Sequence, residues 1–296
     1  SCSNPARFFT IFRVPTMGLL SALLASISQI YFVNRPLAGL LITLGVFWAS
    51  PYMGLAMLIA TLSGVLTAHF LKYDPELQAE GCYGFNAALV GLSLALFAPP
   101  SASMLVAAAV VGAASSLLYA ALRKAVNIPC YTLPFNLLIL PWLYWSGQRL
   151  ADEVPSNYEF SLSAIGQVIF LPDTIPAVMV CAALLLAGIG MLGWAFVGAV
   201  ITSGTATFLL VNPDYINFGL TGYNGVLAAV AMFWHQFKPG WSILAAVLAG
   251  LMTAAMLKTG LPMLTMPFVL SCWLCLALRS GFCYYQTKYM TDREKV

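Results

Sequence analysis

The chain has 296 residues, 61% of them hydrophobic and 8% charged, with a mean hydropathy of +0.88 and a formal net charge of +3. A soluble domain carries about 25% charged residues, so a water-soluble enzyme or a nucleic-acid-binding module is excluded. The composition belongs to a protein that lives in a lipid bilayer.

Taking about 20 residues per crossing, spans are expected near 14–31, 36–50, 51–71, 102–122, 132–147, 161–171, 173–190, 191–210, 240–258 and 265–284. Two further apolar stretches, near 84–97 and 222–235, are too short to cross and read as re-entrant half-helices. No basic start, short apolar core and small-residue cleavage site mark a signal peptide. With the N-terminus in the cytoplasm, nine basic residues fall inside: Arg7, Arg13, Arg123, Lys124, Lys238, Arg279, Lys288, Arg293 and Lys295. Arg35, Lys72, Arg149 and Lys258 fall outside, which accounts for all 13 and satisfies the positive-inside rule. Both termini are therefore expected to be cytoplasmic.

The seven cysteines form no disulfide framework. Cys272 and Cys275 have metal-type spacing, but no second pair and no histidine stands near, so they read as small packing residues. No cofactor or metal is called for. The lack of an Asn-x-Ser/Thr sequon fits a bacterial inner-membrane protein.

An internal repeat organises the chain. Ser28-Gln29-Ile30-Tyr31-Phe32 matches Gly166-Gln167-Val168-Ile169-Phe170 at an offset of 138 (28 to 166). The same offset relates Asp74-Pro75-Glu76 to Asn212-Pro213-Asp214, Gly81 to Gly219, and Gly84-Phe85-Asn86-Ala87-Ala88-Leu89 to Gly222-Tyr223-Asn224-Gly225-Val226-Leu227. Beyond these it falls to 133, where Pro129-Cys130-Tyr131-Thr132-Leu133-Pro134-Phe135 meets Pro262-Met263-Leu264-Thr265-Met266-Pro267-Phe268. The expected units are 1–147 and 161–296, joined by a polar linker at 148–160. Five crossings per unit is an odd number, so the second copy is inverted, and equivalent residues gather at the bilayer centre. The expected fold is all-α: ten transmembrane helices plus two re-entrant half-helices in two inverted-topology repeats.

No Asp, Glu, Lys or Arg falls firmly at mid-span. Intramembrane charge is expensive and usually functional, so its absence argues against a proton relay or a coupling-cation site and points to small neutral cargo. His69 and His235 lie near span ends and read as interfacial packing. The polar groups left inside come in pairs. Gln29 and Gln167 each have a phenylalanine, Phe32 or Phe170, three residues on and on the same helical face. Either glutamine serves a helix–helix hydrogen bond or it faces cargo. Thr132 and Thr265 each sit between two prolines, which deny backbone donors and distort the helix start. That leaves either a kink healed by the hydroxyl or a row of free carbonyl acceptors with threonine at its centre. Asn86 and Asn224 read as caps of the half-helices, with Phe85, Leu89, Tyr223 and Leu227 on one face of each.

Two copies of Pro-x-x-Thr-x-Pro-Phe, two of Gly-aromatic-Asn-x-x-Leu and two of Gln-x-x-Phe together resemble the urea transporter family over nearly the whole chain. The resemblance implies passive, channel-like permeation of urea by a homotrimer with one pore per protomer. It also implies an outer site of Gln29, Phe32, Phe85 and Leu89, and an inner site of Gln167, Phe170, Tyr223 and Leu227. Thr132 and Thr265 would stand at the central constriction. An ion-coupled symporter of a small amide and a channel for ammonia or water are the rival readings. An intramembrane enzyme is weaker still, because no catalytic dyad is visible.

Overall fold

A computed structural model describes residues 18–126, 128–148, 154 and 162–293, with side chains as far as residue 281. The first half contains α1 (Leu19–Gln29), α2 (Pro36–Ala49), α3 (Pro51–Phe70), α4 (Pro75–Ala79), α5 (Phe85–Phe97), α6 (Ala102–Ala125) and α7 (Leu133–Ser146). The second contains α8 (Ser163–Gly166), prolonged by a 3-10 turn at Gln167–Ile169, then α9 (Thr174–Ala187), α10 (Ile189–Phe208), α11 (Pro213–Asn217), α12 (Tyr223–Trp234), α13 (Pro239–Thr259) and α14 (Met266–Arg293). The 148–160 linker lies almost wholly outside the described residues.

Helix starts follow local chemistry. Proline occupies the first turn of α2, α3, α4, α7, α11 and α13, where the missing N–H has no helical partner to lose. Ser50 and Ser101 cap α3 and α6 by accepting the Met53 and Met104 N–H groups, each at 3.2 Å. Asp74 and Asn212, matched in sequence, cap α4 and α11 through the Glu76 and Asp214 N–H groups at 3.0 and 2.9 Å.

The turns beside the helices match as well. Phe32 and Phe170 have φ of 61° and 62°, Lys72 and Leu210 53° and 56°, and Tyr131 and Leu264 46° and 41°. A left-handed non-glycine residue costs about 1–2 kcal/mol, yet three matched pairs adopt it. At the first pair the return is secured by Val33 N–H on the Ser28 carbonyl and Leu171 N–H on the Gly166 carbonyl, both 3.2 Å. This geometry satisfies the last helical carbonyls while turning the chain. The turn bends Leu19–Tyr31 from Pro36–Ala49 by 77° and Ser163–Ile169 from Thr174–Ala187 by 85°.

Among the described residues, α3, α6, α10 and α13 are long and apolar enough to cross a bilayer unbroken, and each bent pair adds one span if counted as a unit. The expected 14–31 and 36–50 are thus joined at a sharp bend, as are 161–171 and 173–190. The short apolar stretches expected near 84–97 and 222–235 form the helices α5 and α12. Every residue from Phe85 to Ala95 and from Tyr223 to Met232 is buried. Glycine permits this depth: a Cβ on Gly91 would stand 2.4 Å from the Ala56 carbonyl oxygen, and one on Gly225 1.5 Å from Thr202 Oγ1. Close backbone approach through small residues is how helices associate where lipid supplies no hydrophobic drive. The two half-helices thereby become fixed posts against which α7 and α14 begin.

Candidate functional site

The hydroxyl oxygens of Thr132 and Thr265 are 2.7 Å apart, and each threonine is 2% exposed. Thr132 stands at the N-cap of α7 but caps nothing. Its hydroxyl turns away from its own helix toward the other half of the chain. The two threonines that the prolines single out are thus in direct contact across the molecule.

The half-helices hold these two starts in place. Asn86 Nδ2 donates to the Tyr131 carbonyl at 3.2 Å, and its Oδ1 accepts the Phe135 N–H at 3.1 Å. Asn224 repeats both bonds on the Leu264 carbonyl and Phe268 N–H, at 3.2 and 3.1 Å. The expected capping role is therefore corrected. Gly84 and Gly222 are the N-caps, without side-chain bonds, and each asparagine instead bridges the broken start of a different helix. The physical reason is need: a buried first-turn N–H has no partner within its own helix, and it and the buried carbonyl just before the helix are costly to leave unpaired.

The expected row of free carbonyls is corrected in the same way. Pro129 accepts from Trp273 Nε1 at 2.8 Å, Cys130 from the Leu133 N–H at 2.9 Å and Met263 from the Met266 N–H at 3.0 Å. A carbonyl has two lone pairs, so these groups retain acceptor capacity without standing bare.

Aromatic rings flank the threonines crosswise. Phe32, half-buried, packs on Phe268 at 6.1 Å and on Tyr131 and Trp234 at 6.0 and 5.8 Å. Phe170 packs on Phe135 and Phe97 at 6.3 and 6.4 Å. Each Gln-x-x-Phe ring therefore meets the Pro-Phe ring of the opposite half, three residues beyond a central threonine.

Gln167 is 2% exposed and its Oε1 has no hydrogen-bond partner among the described residues. An unpaired buried amide oxygen is uncommon and calls for a reason. Gln29, at the end of α1, is partly exposed. Leu89 and Leu227 are fully enclosed in the core, Phe85 packs edge-on to Tyr119 at 5.9 Å, and the Tyr223 hydroxyl donates to the Leu264 carbonyl at 2.5 Å. Among the described residues no ring contact or hydrogen bond directly joins Phe85 or Leu89 to Gln29 or Phe32. The threonines touch each other and each phenylalanine pair includes the ring three residues beyond one of them; the α5 and α12 residues reach these helix starts through Asn86, Asn224 and Tyr223.

Comparison with known proteins fits this architecture. The profile of the family described as "Urea transporter" matches residues 20–280. The chain belongs to the urea transporter family. It is 28% identical over 296 residues to Urea transporter 1 of Mus musculus, covering 86% of this chain and 76% of that one. The Ovis aries and Rattus norvegicus proteins of the same name are likewise 28% identical, over 294 and 295 residues, with the same coverage of each chain. Urea transporters are transport proteins, not enzymes, and this chain is an integral multi-pass membrane protein.

Two site features of this urea transporter escape a reading of motifs. Asn136 is completely buried beside the threonines, its Nδ2 2.8 Å from Thr265 Oγ1. A polar residue inside an apolar span was the available signal. His235 is more than a packing residue: its Nε2 pairs with the Tyr131 hydroxyl at 2.8 Å while its ring stacks on Phe237 at 5.3 Å. Nothing in the sequence joins residues so far apart.

Proposed function

We propose that the protein carries urea passively down its gradient, along a path between the two halves that passes beside the Thr132–Thr265 hydroxyl pair. The two halves are inverted copies supplying ten crossings and two re-entrant helices. Both termini lie in the cytoplasm, and the molecule works as a homotrimer in a bacterial inner membrane with one path per protomer. Gln29, Phe32, Phe85 and Leu89 bind on one side of the constriction, and Gln167, Phe170, Tyr223 and Leu227 on the other.

The observation that carries this reading is the direct hydroxyl contact, flanked on each side by a phenylalanine pair drawn from both halves. Urea is planar, uncharged, rich in N–H donors and equipped with one carbonyl acceptor. Aromatic faces confine a planar guest; hydroxyls, carbonyls with a spare lone pair and the unpartnered Gln167 oxygen replace the water it sheds. A polar group left unpaired on desolvation costs about 1–3 kcal/mol, so this replacement lowers the barrier to urea. At 2.7 Å the hydroxyls leave no room between them, so urea passes alongside. No Asp, Glu, Lys or Arg is buried among the described residues, which supports neutral cargo without a coupled cation.

Stopped-flow urea efflux from proteoliposomes tests the reading. Thr132→Val is expected to slow flux by about threefold or more, the worth of one net hydrogen bond, with no dependence on a sodium or proton gradient. Unchanged flux refutes the constriction, and gradient dependence favours a coupled symporter.

A further inference from the structure

The repeated Pro-x-x-Thr-x-Pro-Phe stretch is followed by Asn136 in the first copy and Val269 in the second (132 to 265, 136 to 269). The equivalence of the halves therefore fails beside the two threonines. Asn136 is 0% exposed, and both ends of its amide are engaged. Nδ2 donates to the Thr132 carbonyl and to Thr265 Oγ1, both at 2.8 Å, while Oδ1 accepts the Thr265 N–H at 3.2 Å. These partners fix the amide's orientation. Turned over, it would set an oxygen against the Thr132 carbonyl and an NH2 against an N–H.

A hydroxyl has one hydrogen and two acceptor lone pairs. Thr265 Oγ1 already accepts from Asn136, and accepting a bond makes its own O–H the stronger donor. Its hydroxyl neighbour is Thr132 Oγ1 at 2.7 Å. Thr132 Oγ1 receives no comparable help, since Asn136 Nδ2 stands 3.5 Å from it, at the limit of a useful bond.

We propose that Asn136 sets the direction of the hydroxyl pair. The amide N–H donates to Thr265, Thr265 donates to Thr132, and the Thr132 hydrogen is left to donate to the carbonyl oxygen of the passing guest. This rests on the pathway proposed above and deepens it. Asn136 is a positioning residue that touches no cargo, and the two threonines are chemically unequal although their motif is the same. Tyr223 works in the same sense. The Leu264 carbonyl accepts from both the Tyr223 hydroxyl and Asn224 Nδ2, whereas the Tyr131 carbonyl accepts from Asn86 alone among the described residues. Of these two matched carbonyls, the one with acceptor capacity left is the first copy's.

Urea and thiourea efflux, measured in parallel from proteoliposomes, tests the direction. Thiourea keeps the planar shape and the N–H groups but presents a weakly accepting sulfur. Asn136→Val, which copies the second half, is expected to slow urea about three- to tenfold, as loss of one net hydrogen bond would, and thiourea by less than about twofold. A purely structural role slows both alike. Adding Val269→Asn to Asn136→Val moves the amide to the other half and is expected to restore the preference for urea. Should Asn136→Val fail to fold, the threonines decide: Thr132→Val is expected to cost more urea flux, relative to thiourea, than Thr265→Val. Equal slowing of both solutes by Asn136→Val, or an equal loss of urea preference in the two threonine variants, overturns the directional pair but leaves the pathway standing. Full urea flux in both threonine variants sinks the pathway and this proposal together.

Discussion

The Tyr223 hydroxyl donates to the Leu264 carbonyl at 2.5 Å, a bond that Phe85, its counterpart in the first half, has no hydroxyl to make with Tyr131. The bond fastens the start of α12 to the broken start of α14. Tyr223→Phe leaves the Leu264 carbonyl with Asn224 Nδ2 as its partner, so the loss is that of one hydrogen bond and not of an orphaned group. The expected cost is about 1 kcal/mol, seen as a lowered midpoint of thermal unfolding in detergent. A midpoint equal to the parent's removes the fastening role.

Gln167 presents the opposite case. Its Oε1 is buried without a partner among the described residues, and an acceptor left unpaired costs about 1–3 kcal/mol. Gln167→Leu removes the orphan while keeping most of the volume. The variant is expected to melt at a higher temperature and to pass urea more slowly, because the missing acceptor served the guest. A rise in stability with unchanged efflux shows that Gln167 takes no part in transport.

These two residues mark the limits of what the sequence tells. The bounds of the two short apolar helices were legible to within a residue or two (84–97 against Phe85–Phe97, 222–235 against Tyr223–Trp234), because their length and repetition are properties of the chain itself. The distorted starts before Thr132 and Thr265 were legible because proline acts locally. What Asn86, Asn224, Tyr223 and His235 bind was not legible. Each bonds to groups 40 or more positions away, and the identity of those groups is decided by how helices pack. Asn136 escaped the reading of motifs although it stands where the two copies diverge, because divergence alone does not say what an amide holds.

The asparagine bridges can be tested by a substitution that separates bridging from capping. Aspartate is as good an N-cap as asparagine, so a capping Asn86 would tolerate Asn86→Asp. As a bridge, Asn86 must donate to the Tyr131 carbonyl and accept from Phe135 N–H. A carboxylate keeps the second bond and sets an oxygen against the carbonyl. Loss of the donor is expected to cost about 1–3 kcal/mol, with the charge adding more. Asn86→Asp and Asn224→Asp are both expected to purify poorly and unfold at lower temperature, and parent-like melting of either restores the capping role.

The depth of the half-helices makes a final prediction about backbone approach. In α12, a Cβ on Gly225 would meet Thr202 Oγ1 at 1.5 Å and the Gly198 carbonyl oxygen at 2.5 Å. The Thr202 Cβ, at 2.6 Å, and the Gly198 carbonyl both belong to α10 and move only with their helix. In α10 itself, a Cβ on Gly193 meets nothing within 4 Å among the described residues. Gly225→Ala is therefore expected to push α12 away from α10 and carry Asn224 off the Leu264 carbonyl and Phe268 N–H, at a cost of about 1–3 kcal/mol for overpacking alone. Gly193→Ala is expected to melt with the parent. Thermal unfolding of the two variants side by side reads the difference. Equal stability would mean that α12 does not depend on its seat against α10, and that the threonine at the start of α14 is held by something other than the half-helix beside it.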